Sequence, residues 1–192
     1  MYNTIMEYIV SKNIISLKDE YPGYTKYFDA GRYVRGRIKL CKTLELDKES
    51  NLDILDISTG FGYFPVVCRF MGHNVKATDI ENNLYDNVTS QFEIDKRYMS
   101  IDDSGDIDLP FEDMFDVISG FAVVPMSFLT NDGWFLFLQK CFNQIREGGY
   151  MFLSPNQGGI NGLNEFLNTD LGKSIYATQH INTIRNTIVR RK

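Results

Sequence analysis

The chain lacks the basic surplus that a nucleic-acid protein shows. It has 20 Lys and Arg against 25 Asp and Glu, a formal charge of −5, whereas neutralising phosphates needs a basic surface. That argues against nucleic acid as the main partner. A cluster at the chain end, Arg185, Arg190, Arg191 and Lys192, reads as a solvated terminus. Histidine is scarce, with only His73 and His180 as general-base candidates of that type. Cysteine is scarce too: Cys41, Cys68 and Cys141 lie far apart, without a C-x-x-C pair. This spacing excludes a disulfide framework and reads as buried free thiols in a reducing cytosol. No His/Cys/Asp cluster has metal-ligand spacing, and no G-x-S-x-G elbow marks a serine hydrolase. No apolar run approaches about 18 residues, and the opening MYNTIMEYIVSKN has no basic leader or apolar core. The expectation is a cytoplasmic protein with no membrane partner.

What is present suits a folded domain. Hydrophobic residues make up 43% and charged residues 23%, enough apolar surface to exclude disorder. No repeat, low-complexity tract or Pro/Gly/Ser linker divides the 192 residues, so one domain over 1–192 is expected.

The most informative stretch runs from Leu52 to Asp79. Asp53–Ile57 reads as a strand carrying Asp56 near its end. A turn, Ser58-Thr59-Gly60-Phe61-Gly62, follows, then a helix over Tyr63–Phe70 with Pro65 in its first turn, where a missing N–H is tolerated. Gly72 stops it, and Asn74–Asp79 forms a second strand ending in another acid. Strand, glycine turn, helix and strand present backbone N–H groups and two carboxylates at one sheet edge, where open α/β folds bind nucleoside ligands.

Which nucleoside is decided by the turn. The dinucleotide fingerprint G-x-G-x-x-G is absent, since Phe64 stands four residues after Gly60 and Ser58 stands where a leading glycine could. An acid at the end of the first strand repels a pyrophosphate and attracts an ammonium group. Asp79, nineteen residues beyond Gly60, can accept hydrogen bonds from both ribose hydroxyls. The alternative role for Asp79 is a helix N-cap.

Around this unit, residues 3–12 read as a helix capped by Asn3 or Thr4, and Thr25–Leu46 as a longer helix kinked near Gly31 and Gly36. Residues 1–46 are expected to form a helical lid over a cofactor-binding core at 51–192. The aromatics Tyr21, Tyr24, Tyr27, Phe28 and Tyr33 interleave there with Arg32, Arg35 and Arg37. Most of these read as an amphipathic helix with a solvated basic face. The functional alternative sets aromatics against a ligand ring and one Arg near a carboxylate. Further on, Asn82–Phe92 reads as a helix, Arg97–Asp102 as a strand, and 102–108 as an acidic loop. Phe115–Ser119 reads as a buried strand with Gly120 and Phe121 just past its end. Asp132–Arg146 reads as a helix stopped by Gly148-Gly149, and Tyr150–Leu153 as a strand. Gly162–Thr169 reads as a short helix. Alternation at His180–Thr183 and Thr187–Val189 suggests a closing hairpin, against a single helix over 170–185.

The ordered set LDISTGFGYFP, GHNVKATDI, DLPFEDMFDVISGF and the W-x-x-F-L through I-R-E-G-G-Y-M-F-L-S segment resembles the class I S-adenosylmethionine-dependent methyltransferases over about residues 52–156. The resemblance implies an α/β, Rossmann-like fold: a mostly parallel seven-stranded sheet, its last strand inserted antiparallel, with helices on both faces. It implies S-adenosyl-L-methionine as cofactor, with Asp56 near the methionyl amino group and Ser58, Thr59, Gly60, Phe61 and Gly62 in the turn beneath the ligand. Asp79 would hold the ribose, Ile80 would pack on adenine, and either Asp102 or Asp106 would approach the adenine amino group. Gly120 and Phe121 would line the methionine side and the acceptor cleft. Ser58 replaces the family's first glycine, tolerable where its backbone angles are ordinary. A small-molecule or saccharide-like acceptor is expected to meet the lid and the loops after strands four and five, including Asn156 and Gln157. A non-catalytic cofactor-binding module and a nicotinamide-dependent oxidoreductase are the alternatives.

Overall fold

Alternation along the central strands sets the architecture. In β1 (Asp53–Ile57), Ile54 packs into one apolar cluster while Leu55 and Ile57 pack into another on the opposite face. The same division puts Val117 on one side of β4 (Phe115–Phe121) and Ile118 on the other. The computed structural model describes residues 1–123, 125–181 and 186–192. Seven strands form one sheet in the order β3-β2-β1-β4-β5-β7-β6. The others are β2 (Asn74–Asp79), β3 (Asp95–Tyr98), β5 (Ile145–Ser154), β6 (Tyr176–His180) and β7 (Thr187–Arg191). The pairs from β3 through β5 are parallel, and β7 runs antiparallel to both β5 and β6. The sheet is thus mixed, with the late strand inserted antiparallel as the resemblance implied.

One cluster joins α1 (Tyr2–Ser11), α2 (Ala30–Thr43), α3 (Tyr63–Phe70) and α4 (Asn83–Gln91) to the sheet. The opposite cluster holds Trp134, Phe137 and Leu138 of α5 (Asn131–Phe142) and Ile160, Leu163 and Phe166 of α6 (Gln157–Asn168), with α7 (Asp170–Ile175) following. The strand order reverses at β1, whose neighbours β2 and β4 lie on either side, and such a switch point opens a crevice at the carboxyl ends of the strands.

The bounds of β1, α3 and β2 are those read from the sequence. Elsewhere the structure corrects them. The N-terminal segment is not one kinked helix: 3₁₀ turns cover Pro22–Phe28, and α2 starts afresh where the Asp29 carboxylate accepts from Arg32 N at 3.1 Å. Gly36 sits inside α2 without a break. Met1, not Asn3 or Thr4, stands at the N-cap of α1. β3 lies a few residues earlier than expected, α6 starts five residues earlier, and Gly120 and Phe121 are the last residues of β4.

The end of α5 differs most. The helix stops at Phe142 and the chain enters β5 at Ile145, so Gly148-Gly149 is not its stop. Arg146 reaches Asp53 at 2.7 Å and Asp116 at 2.9 Å. Gly148 has φ +82°, and a Cβ on Gly149 would lie 2.6 Å from Asp116 O. The two glycines serve an irregular register between β4 and β5. In the tail, β6 and β7 pair as an antiparallel hairpin, but its first strand is Tyr176–His180 and not His180–Thr183; Thr183 and Arg185 lie outside the described residues.

His73, one of the two general-base candidates, is buried. Its Nε2 is 2.8 Å from Leu46 O and its Nδ1 accepts from Leu52 N at 3.4 Å, which ties the segment before β1 to the helix–strand turn. It lies at the edge of the sheet away from the crevice. His180 is exposed on the outer strand β6, 3.3 Å from Thr187 Oγ1. All three cysteines are buried free thiols, with Cys41 and Cys68 in contact at 3.8 Å.

Candidate functional site

The crevice at the end of β1 and β4 is a cleft of about 450 Å³. Asp56 enters it from β1, buried, with Ser119 Oγ of β4 donating to its Oδ1 at 2.6 Å. Burial pushes this carboxyl up to about 6, against the pull of the Ser119 and Thr59 hydroxyls and of the Arg37 guanidinium. Arg37 comes from α2 and lies over the Phe121 ring, 3.9 Å from its centroid. Burial draws its pKa down, the charge of Asp56 opposes this, and Arg37 forms no ion pair among the described residues.

The turn after β1 is left-handed at three places: Ser58 (φ +57°), Gly60 (φ +55°) and Gly62 (φ +75°). Thr59 N donates to Thr78 O at 3.1 Å, and Gly62 N closes back on Thr59 O at 3.0 Å. A Cβ on Gly62 would lie 2.3 Å from Ile94 Cδ1, the end of a side chain that would have to move, and its φ of +75° favours glycine, whereas a Cβ on Gly60 would meet nothing within 4 Å. Thr59 Oγ1 is buried and close enough to Asp56 to help hold its carboxyl down, but it makes no hydrogen bond of good geometry among the described residues. The Ser58 angle is not ordinary, contrary to the condition on which its tolerance rested. A side chain in this region is strained by about 1 kcal/mol. Ser58→Gly is therefore expected to raise stability by about 0.5–1 kcal/mol, less whatever unfolded-state entropy glycine adds. Urea denaturation measures it, and a loss of stability would show that the Ser58 side chain itself contributes.

Asp79 ends β2, also buried. Its Oδ2 accepts from Gly60 N at 2.6 Å and its Oδ1 from Ile80 N at 2.8 Å. Burial raises its pKa, and these two backbone donors oppose the rise. It is not an N-cap: Asn82 caps α4, accepting from Leu84 N and Tyr85 N at 3.1 Å each.

Aromatic rings complete the wall. Tyr33 stacks on Tyr63 at 5.5 Å, and Phe61 lies 5.6 Å from Tyr27 and 6.1 Å from Tyr85. Burial pushes the Tyr85 phenol up to about 12 and that of Tyr63 higher still, so both stay protonated. On the β4 side the cleft is bounded by Ala122, Val123 and Pro125. The arrangement offers two carboxylates, one guanidinium, an orphaned hydroxyl and flat apolar faces within one opening.

Of the residues expected at the site, the cleft gathers Asp56, Ser58, Thr59, Gly60, Phe61, Asp79, Ile80 and Phe121. Gly62 lies behind the turn against Ile94, and Gly120 lies behind the wall against Leu153. Asp102 and Asp106 line a different cavity, with Tyr98, Met99 and Lys140. Asp102 accepts from Ser104 N and Asp106 N within its own loop, and Asp106 pairs with Lys140 at 3.0 Å. That cavity adjoins Asp79 through Met99 N, which donates to Asp79 O at 2.9 Å. The lid residues that do face the cleft are Lys26, Tyr27, Tyr33 and Arg37, while Arg32 and Arg35 do not. Lys26, Tyr63, Phe64, Tyr85, Ala122, Val123 and Pro125 were missed. Tyr85 left a sequence signal, three residues after the capping Asn82. No group of three His, Cys, Asp or Glu among the described residues could hold a metal ion.

Solved structures share this architecture. A TehB-like SAM-dependent methyltransferase from Corynebacterium glutamicum matches with a TM-score of 0.58 at 20% identity, over 79% of this chain and 86% of that one. A methyltransferase from Pyrococcus furiosus matches at 0.55 and 20% identity, over 80% and 81%. The chain has the class I methyltransferase fold. SAM-bound CalS10, an amino pentose methyltransferase from Micromonospora echinaspora, shares the fold at 0.50 and 14% identity, over 64% of this chain and 50% of that one. No protein-family model and no curated protein sequence matches the chain. Within the methyltransferase fold, the Gly60 N–H that a dinucleotide site would aim at a pyrophosphate is bonded to Asp79 instead, which counts against the nicotinamide alternative. No helix among the described residues is long and apolar enough to cross a membrane.

Proposed function

We propose that the chain is an enzyme that transfers a methyl group from S-adenosylmethionine to a small-molecule or saccharide-like acceptor, by in-line displacement. The observation that carries this reading is the placement of two buried carboxylates, Asp56 and Asp79, at the ends of adjacent parallel strands on one cleft. The residues fit the donor. Asp56 accepts from the ammonium group, and the unpaired Arg37 beside it receives the carboxylate. Asp79 has lone pairs left on both oxygens for the ribose hydroxyls after Gly60 and Ile80 have donated to it. Thr59 Oγ1, placed beside Asp56 without a well-aligned hydrogen bond, is available to the donor, and the half-exposed Ile80 offers its side chain to the adenine.

The bound sulfonium supplies an already activated methyl group. The chain positions the acceptor and excludes water, which the aromatic wall does. The protonated Tyr85 phenol can donate a hydrogen bond, the Tyr63 hydroxyl is spent on Tyr27 O at 2.8 Å, and neither takes a proton near neutral pH. Asn156 and Gln157 have other work than meeting an acceptor: Asn156 caps α6 and accepts from Ser127 Oγ, while Gln157 bonds Asn161. The acceptor instead meets Tyr27, Tyr33 and the Ala122, Val123 and Pro125 rim. The fold shared with an amino pentose methyltransferase supports a saccharide-like acceptor.

Calorimetry with S-adenosylmethionine, followed by labelled-methyl transfer to a panel of sugars and small metabolites, tests the reading. No binding by the wild type overturns it, and binding without transfer to any acceptor leaves a non-catalytic module. Arg37→Gln is expected to weaken donor binding about tenfold or more. A donor analogue lacking the carboxylate should bind both proteins alike.

A further inference from the structure

The outer face of α2 carries a charge pattern that the methyl-transfer reading does not use. This helix holds five cations, Arg32, Arg35, Arg37, Lys39 and Lys42, and no carboxylate within its span, in a chain whose net charge is −5. Arg37 faces the cleft. The other four are all exposed and fall at intervals of three, four and three residues, which puts them on one stripe. None of the four forms an ion pair among the described residues. Arg35 donates to Tyr2 Oη at 2.8 Å and lies over the Tyr2 ring, and Asp29 is spent capping the helix through Arg32 N. A shallow concavity of about 460 Å³ runs beside the stripe, lined by Tyr2, Arg35, Ile38, Lys39 and Lys42.

We infer that this face docks the phosphate backbone of a nucleic-acid strand. The stripe from Arg32 to Lys42 extends about 15 Å at 1.5 Å per residue, one cation per roughly 5 Å. That matches a partner whose negative charges recur at short, fixed intervals along its backbone. The concavity fits a strand better than a planar lipid surface. A protein partner would have to bring acidic side chains into register from separate positions, each losing rotamer freedom, whereas a strand carries a phosphate at every unit. The net charge of −5, which argued against nucleic acid as main partner, averages over this face. The docking is independent of the methyl acceptor and requires no base reading.

Fluorescence anisotropy with labelled single-stranded RNA and DNA of one sequence tests this. The full chain is expected to bind both alike, with log K falling against log salt at a slope of about −3 for four phosphates, or about fiftyfold between 50 and 200 mM salt. In Arg32→Gln/Lys39→Gln/Lys42→Gln the slope should flatten to about −1 and affinity at 50 mM salt should fall at least tenfold. Its thermal unfolding and S-adenosylmethionine affinity should match the wild type, since none of the three side chains has a partner or lines the cleft. Absence of binding at 50 mM salt, an unchanged slope in the triple variant, or preference for polyglutamate or for phosphatidylserine vesicles would each overturn the proposal.

Discussion

Asp79→Ala is expected to weaken S-adenosylmethionine binding by about 1.5–3 kcal/mol, the scale of hydrogen bonds to a charged group. The loss is about 13- to 160-fold in dissociation constant. Two effects act together. The substitution removes the acceptor for the ribose hydroxyls, and it releases Gly60 N and Ile80 N, which the carboxylate holds at 2.6 and 2.8 Å. A loosened turn places Thr59 and Phe61 less well. Asp79→Asn separates the two, because its one amide oxygen can still accept from a single backbone donor or hydroxyl. It should fall between wild type and Ala. Calorimetry on both variants measures this, with far-ultraviolet dichroism to check folding. Unchanged affinity in a folded Asp79→Ala would remove Asp79 from the ribose role.

The same residue shows why part of the site was legible in the chain. An acid directly after a β-branched, apolar strand has few structural uses, and the glycines before α3 leave few backbone choices. The bounds of β1, α3 and β2 therefore follow from local chemistry, and so does the Asn82 cap. What was not legible depends on contacts between distant segments. Past the stop of α5, Arg146 joins the sheet and reaches Asp53 and Asp116, residues 93 and 30 positions away on β1 and β4. Tertiary pairing there overrides a helical pattern that continues through Ile145. β3 is an edge strand with three of its four residues exposed and the fourth partly so, in no alternating pattern, so periodicity could not locate its start. His73 is buried because Leu46 and Leu52 close over it, which its position in a turn does not reveal. The lid was readable as aromatic and basic, but only the break at Asp29 decides that Arg37 turns inward while Arg32, Arg35, Lys39 and Lys42 turn outward.

Asp56→Asn should separate stability from donor binding. The folded carboxyl holds its proton up to about pH 6, against an ordinary 3.8, chiefly because it is buried. The folded protein therefore binds more protons than the unfolded chain between those two values. Stability is greatest below about pH 4 as far as this group is concerned, and it is lost as pH rises through 6. At about 1.4 kcal/mol per unit the loss comes to about 3 kcal/mol, constant at higher pH. An Asn at 56 keeps an oxygen for the Ser119 hydroxyl and never ionises. The variant should be more stable than the wild type at pH 7.5, by up to about 3 kcal/mol, less the charge partner that Arg37 loses. Its stability should also be flat in this group's window between pH 4 and 6. Donor binding should move the other way, weakening by about 1.5–3 kcal/mol as the ammonium group loses its carboxylate. In the wild type, donor affinity should fall about tenfold for each pH unit below 6, because only the ionised form attracts the ammonium group. Denaturation and calorimetry across pH 4–8 on both proteins decide it. A variant no more stable than wild type would mean that burial of this charge is offset within the fold by Arg37. Undiminished donor affinity would remove Asp56 from the ammonium site. Both outcomes together would leave the acid at the end of β1 without a function in the cleft.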